Sequence, residues 1–290
     1  MSNSKKRLLI VAGHAIYDQS RTINSYFTQL YPHLNVELPA DCYWHGFEAD
    51  KFPGDALKQM IGVVELHVRY ACGLVKNGQY DIIAFSGGKT RKELHDPQDE
   101  VNHKKQGINN SEGEGMRKFA EQDGCLASIP HFTEQCASDS FTNVFYSILG
   151  YHKKTQGNWP EKIGVISMPH KSTRFHIMAL GLGYKDERFE FHGIGSIPNI
   201  EFNVYREIEN MATLIDRSAP DEIQDPLLRD INRFERKRAA RLHPDCDPRE
   251  HYGDNGVRST ALTLWENTKV GRNEWMNCVH EWPWTNLDHD

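Results

Sequence analysis

Three short polar motifs each follow a strand-like apolar run, and their residue types are those that hold anions and move protons. Leu8-Leu9-Ile10-Val11 runs into Ala12-Gly13-His14, and Ile82-Ile83-Ala84-Phe85 runs into Ser86-Gly87-Gly88-Lys89-Thr90. Ile163-Gly164-Val165-Ile166-Ser167 runs into Met168-Pro169-His170-Lys171, with Arg174 one turn further on. Ser86-Gly87-Gly88 is expected to form a backbone cradle, because glycines let N–H groups approach an anion while Lys89 and Thr90 add donors. A plain tight turn is the competing reading. Lys171 and Arg174 share one face at a helix start, where they would clamp a phosphate or carboxylate or else form a solvated basic turn. His170 beside them is either an acid/base group or an edge histidine. Glu134 would accept from ligand hydroxyls or act as a general base. Ser138 or Asp139 would cap the next helix, and Asn143 would face the same side one turn later. Glu112, in the first turn of a helix capped by Ser111, is the second acid/base or recognition candidate. Both glutamates are expected to serve function rather than stability, since acids beside a glycine-rich turn have little apolar surface to bury.

Positioning these groups requires an alternating series of strands and helices. Ile23, Tyr26, Phe27 and Leu30 have helical spacing, and Leu34–Asp50 reads as irregular. A helix is predicted over Asp55–Lys76, stopped by Asn77-Gly78, followed by a strand over Asp81–Phe85. The polar stretch Arg91–Asn110 reads as a loop on the ligand edge. A helix from Ser111 to about Gln122, a short strand near Ala127–Ile129 and a helix over Asp139–Lys153 come next. The strand at Ile163–Ser167, a helix at Ser172–Leu182 and a strand at Arg188–Phe191 complete the series. The unalternating strands predict a mainly parallel sheet covered on both faces, a Rossmann-like three-layer α/β/α domain over residues 1–200. Residues 201–290 read as a helical and irregular extension packed on that domain, including helices around Val204–Ile215 and Leu227–Leu242 and a tryptophan-rich arm. In a parallel sheet all the motifs converge on the carboxyl edge, where small molecules bind.

Composition narrows the function classes. A net charge of −6 argues against a nucleic-acid binder. The stripe Arg229, Arg233, Arg236, Lys237, Arg241 is diluted by Asp230 and Glu235 and reads as a solvated face. No apolar run reaches the roughly 18 residues of a membrane span. Met1–Arg7 leads straight into a strand too short for a signal-peptide core, so a cytoplasmic location is expected. Six scattered cysteines with no Cys-x-x-Cys pair suggest reduced thiols. His243, Asp245, Cys246, Asp247 and His251 are metal-ligand types without tetrahedral-site spacing, read as caps and turns, so no metal centre is expected. Gly13-His14 lacks a full G-x-G-x-x-G, which leaves a dinucleotide fingerprint unsupported.

Taken in order, Ser86-Gly87-Gly88, Ser111-Glu112-Gly113, Glu134 followed by Asn143, and Lys171-Ser172-Thr173-Arg174 resemble the motifs of the YdcF/SanA/ElyC family, a domain of unknown function. The resemblance runs from about Leu8 to Gly195, and is closer to the fungal branch of that family. Three positions depart from it: Lys171 where bacterial members carry His, Ser140 for Thr, and Gly113 for the Ala of S-E-A. It implies a Rossmann-like fold with a site at the strand ends, and a nucleotide-like ligand such as S-adenosylmethionine. It carries over no reaction. The expectation is an enzyme acting by hydrolysis or group transfer on an anionic, phosphate-bearing or nucleotide-like metabolite. Gly13, Ser86, Gly87, Gly88 and Lys89 would bind the anion, Lys171 and Arg174 would neutralise it, and Glu112, Glu134 and His170 would supply acid/base groups. Asn143 would orient them, and Asp139 and Asn143 are expected among the ligand-binding residues. The alternative is a non-catalytic small-molecule sensor or adaptor using the same cleft.

Overall fold

The computed structural model describes residues 6–13, 16–17, 44–45, 54–89, 110–195, 246–254, 256–268 and 282–285. In chain order the elements are β1 (Arg7–Ala12), β2 (Ile16–Tyr17), β3 (Trp44–His45), α1 (Gly54–Lys76), β4 (Ile82–Ser86), α2 (Glu112–Gln122), β5 (His131–Glu134) and α3 (Ser140–Lys154). They continue as β6 (Lys162–Ser167), α4 (Ser172–Gly181), β7 (Phe189–Gly193), α5 (Pro248–Tyr252) and α6 (Val257–Thr268). β5, β4, β1, β6 and β7 lie in that order in one five-stranded sheet whose pairs are all parallel. The predicted α/β/α architecture is therefore the one adopted.

The central strands β1, β4 and β6 bury both faces, which is why they read as apolar runs without alternation. Leu8, Ile10 and Ala12 of β1 pack with α3 and α4, whereas Leu9 and Val11 pack with α1 and α2. Crossovers from β1 to β4 to β5 use one face, and those from β5 to β6 to β7 use the other. The strand order thus reverses between β1 and β6, the place where ligands bind in open parallel sheets.

Helix boundaries follow the capping signals. Ser111 accepts from the Glu114 N–H at the start of α2, and Asp139 with Thr142 forms a capping box on α3. The strand expected at Ala127–Ile129 is displaced to His131–Glu134. Ser128 has a positive φ of 63°, which turns the chain where a strand would need extended backbone. Within the stretch read as irregular, Trp44–His45 pairs antiparallel with Ile16–Tyr17.

The carboxyl-terminal segments pack on the α3–α4 side. Trp282 and Trp284 are buried and stacked on each other, and their indole N–H groups donate to the carbonyls of Gly181 and Leu182. Tyr252 stacks on Tyr146 of α3. The helices expected near Ile23–Leu30, Val204–Ile215 and Leu227–Leu242, the loop 91–109, Thr90, His243, Asp245 and the basic stripe lie outside the described residues.

Candidate functional site

Parallel register brings the first two motifs and Glu134 side by side. Ala12 pairs with Ser86, and Ser86 pairs with Glu134, so Gly13 and two polar side chains end three adjacent strands at one edge. Asn143 reaches the same point from the first turn of α3. Ser86 Oγ lies 2.7 Å from Glu134 Oε2 and 2.8 Å from Asn143 Oδ1, and all three residues are buried. A hydroxyl carries one proton, so the two acceptors compete for it while Glu134 is ionised. Once Glu134 is protonated, it can donate to Ser86 while Ser86 donates to Asn143. The arrangement is a short buried hydrogen-bond chain whose direction depends on the Glu134 proton.

Glu134 is the centre of this network. Its Oε1 accepts from the Cys136 N–H at 2.6 Å, the Ala137 N–H at 2.9 Å and the Tyr252 hydroxyl at 3.2 Å. Burial pushes its carboxyl up to about 7, and the donors from Ser86, Cys136, Tyr252 and Ala137 each pull it back. The expectation that it has little surface to bury is corrected, since Glu134 is 0% exposed. Burial raises the Tyr252 hydroxyl well above its ordinary value, and the neighbouring Glu134 charge adds to this.

Glu112 occupies the slot beside these strand ends. A Cβ added at Gly13 or Gly87 would meet Glu112 Oε2 at 2.8 or 2.9 Å, so glycine at both positions is what admits the carboxylate. Gly87 also has a φ of 153°, which few other residues adopt. The anion cradle expected at this turn is corrected. The Gly87 N–H donates to the Glu134 carbonyl and the Gly88 N–H to the Ala137 carbonyl. Their own carbonyls accept from the Gly113 and Glu112 N–H groups, capping α2. Gly13 likewise donates to the Ser86 carbonyl. The glycine turn is a splice between β4, α2 and the segment after β5, with its N–H groups occupied by protein.

The remaining candidates sit on the turn after β4, at the start of α3 and after β6. Lys89 follows the turn and is half-buried, and Asp139 caps α3. His170 and Lys171 form a single 3-10 turn after β6, and Arg174 stands in the first turn of α4, all three half-buried. Among the described residues no side chain caps α4, in contrast to α2 and α3. No family model, no curated protein and no solved structure matches this chain.

Three features escaped the sequence reading. Cys136 and Cys246 form a disulfide, with Cα atoms 5.5 Å apart, correcting the expectation of six reduced thiols. The two cysteines are 110 residues apart, and linear spacing carries no signal for such a pairing. Tyr252 reaches Glu134 from an extension that shows no periodicity pointing to it. His67, buried in α1, lies 2.9 Å from the Ile194 carbonyl and donates to it through Nε2, tying the helix to the chain just after β7. Burial lowers this imidazole to about 4, the bond to Ile194 opposes the shift, and the Lys171 charge adds a smaller push downward.

Proposed function

We propose that this chain is a YdcF-like enzyme binding an anionic, phosphate-bearing or nucleotide-like metabolite at the carboxyl edge of its sheet, with hydrolysis or group transfer as its chemistry. One observation supports this reading above the others. Half-buried His170, Lys171 and Arg174 gather at the start of α4, a helix end without a side-chain cap, beside the reversal of strand order. An anion there would meet the positive end of the helix dipole and two cations, while the Lys171 and Ser172 N–H groups already donate to the Met168 and Pro169 carbonyls. S-adenosylmethionine is one nucleotide-like ligand of this class. The Ser86–Glu134–Asn143 hydrogen-bond chain ends the neighbouring strands, with Glu134 as its titratable member and Glu112 beside it.

A second reading, a non-catalytic sensor or adaptor, is supported by the saturation of Glu134 with protein donors and by the burial of Ser86 and Glu112. In that reading the hydrogen-bond chain only fixes the edge, and the half-buried cations do the recognition.

The experiment is a thermal-shift titration with phosphate, ATP and S-adenosylmethionine at constant ionic strength, with chloride as the control. Stabilisation of the wild type is expected, and Arg174→Ala should weaken affinity about ten- to hundredfold, the worth of a charge-assisted hydrogen bond. Equal responses of wild type and variant to every anion would overturn the anion site. Incubating the stabilising ligand with protein and following it by mass spectrometry separates enzyme from sensor.

A further inference from the structure

We propose that Cys136, Cys246 and His251 form a binding site for a thiolate-preferring divalent cation of the zinc class once the Cys136–Cys246 disulfide is reduced. One ligand atom from each of the three residues lies within 4.8 Å of the other two. A tetrahedral zinc ion with Zn–S of about 2.3 Å and Zn–N of about 2.0–2.1 Å needs S···S of about 3.8 Å and S···N of about 3.6 Å. Opening the S–S bond lets the sulfurs separate toward the first distance, and the second falls inside the spacing already present. The donor set of two thiolates and one imidazole suits zinc, with water as the fourth ligand.

The site has support that does not depend on the disulfide. Cys136 is held through its N–H, which donates to Glu134 Oε1, and the Tyr252 hydroxyl donates to the same oxygen. The residue carrying the first sulfur and the neighbour of the imidazole are therefore pinned to one buried carboxylate. Lys153 Nζ donates to the His251 carbonyl at 2.6 Å, and Arg258 Nε donates to the Tyr252 carbonyl at 2.8 Å. Asp247, next to Cys246, caps α5 by accepting from the Arg249 N–H. Reduction thus removes one of several ties and leaves the three ligands facing one another.

The chemistry balances. Two equivalents of a small thiol such as glutathione supply two electrons and two protons, become a disulfide themselves, and leave Cys136 and Cys246 as thiols. Metal entry then forms two metal–sulfur bonds and one metal–nitrogen bond and releases the two thiol protons to solvent.

The test uses the full chain, reduced with a phosphine, freed of reductant under nitrogen and titrated with cobalt(II). One equivalent should give a near-ultraviolet sulfur-to-cobalt charge-transfer band with the visible bands of tetrahedral cobalt, and zinc(II) should abolish both. The oxidised protein should give neither band, a control that needs no mutation. Cys246→Ser should lose about half the charge-transfer intensity. His251→Ala should weaken binding at least about tenfold, since even outer-shell losses cost that much. Cys72→Ser/Cys125→Ser, which removes the dithiol pair whose sulfurs lie 2.6 Å apart, should leave the spectrum unchanged. Absence of the bands in the reduced wild type would overturn the proposal. So would bands that persist undiminished in Cys246→Ser.

Discussion

Replacing Glu134 in two ways separates its hydrogen bonds from its charge. In Glu134→Gln the amide oxygen can keep the place of Oε1 and accept from Cys136, Ala137 and Tyr252, as the carboxylate does. The amide nitrogen then takes the place of Oε2 and donates to Ser86 Oγ, whose own proton turns to Asn143 Oδ1. Every partner stays satisfied and at most one new donor, the second amide N–H, is left over in the buried site, so Gln should cost no more than about 1–3 kcal/mol. In Glu134→Ala two backbone N–H groups and the Tyr252 hydroxyl lose their acceptor inside a buried site. At about 1–3 kcal/mol for each orphaned donor, the loss should be at least about 3 kcal/mol, or roughly 6 °C or more in Tm. Urea denaturation followed by tryptophan fluorescence, comparing midpoints at equal slope, measures both variants. Equal losses for Gln and Ala would refute the reasoning, because charge or volume would then matter rather than the donor pattern. A folded Glu134→Gln protein is also the reagent that removes the proton acceptor without removing the site.

Two further outcomes are expected. His67 has a folded-state value of about 4, below the ordinary 6.5 of the unfolded chain, so the unfolded state binds the extra proton between them. Its contribution is complete above pH 6.5 and lost as the pH falls toward 4, amounting to about 2 kcal/mol between pH 7 and pH 5. His67→Gln should flatten the urea-stability profile by that amount, and parallel profiles for the two proteins would reject it. Gly113→Ala would place a Cβ 2.5 Å from the Phe85 carbonyl oxygen and 2.6 Å from that of Glu134, so two strand ends must move. A loss of about 1–3 kcal/mol is expected in the same assay, and a neutral result would mean the splice yields freely.

The centre of the sheet was legible because β1, β4 and β6 carry uninterrupted apolar runs and the helices carry caps, as with Ser111 and Asp139. The polar His131–Glu134 edge strand carries no such run. Placing Ser86, Glu134 and Asn143 together was legible too, since parallel strands end at one edge whatever their separation in sequence. The engagement of the Gly87 and Gly88 N–H groups was not. A glycine pair declares that backbone comes close to something, without declaring whether that partner is a ligand or the Glu134 and Ala137 carbonyls. Gly113 records the same crowding from the opposite side, since a Cβ there would meet the Phe85 and Glu134 carbonyls. Tyr252 and Cys246 were hidden for another reason. Both act across more than 100 residues through single contacts, and a single contact leaves no period in the sequence.

The burial of Trp282 and Trp284 sets an order on synthesis. The two rings fill the layer over α3 and α4, against Phe145, and their N–H groups close the carbonyls at the end of α4. While the ribosome is still making the segment before Trp282, that layer has an apolar hollow facing water, although every strand of the large sheet has already emerged. Domains tend to fold in the order they emerge, yet here one layer of the core stays open until Trp284 is free. A chain lacking Trp282 and Trp284 would therefore present the exposed apolar surface that chaperones and proteases read, so the layer over α3 and α4 depends on an arm far beyond the last strand in sequence.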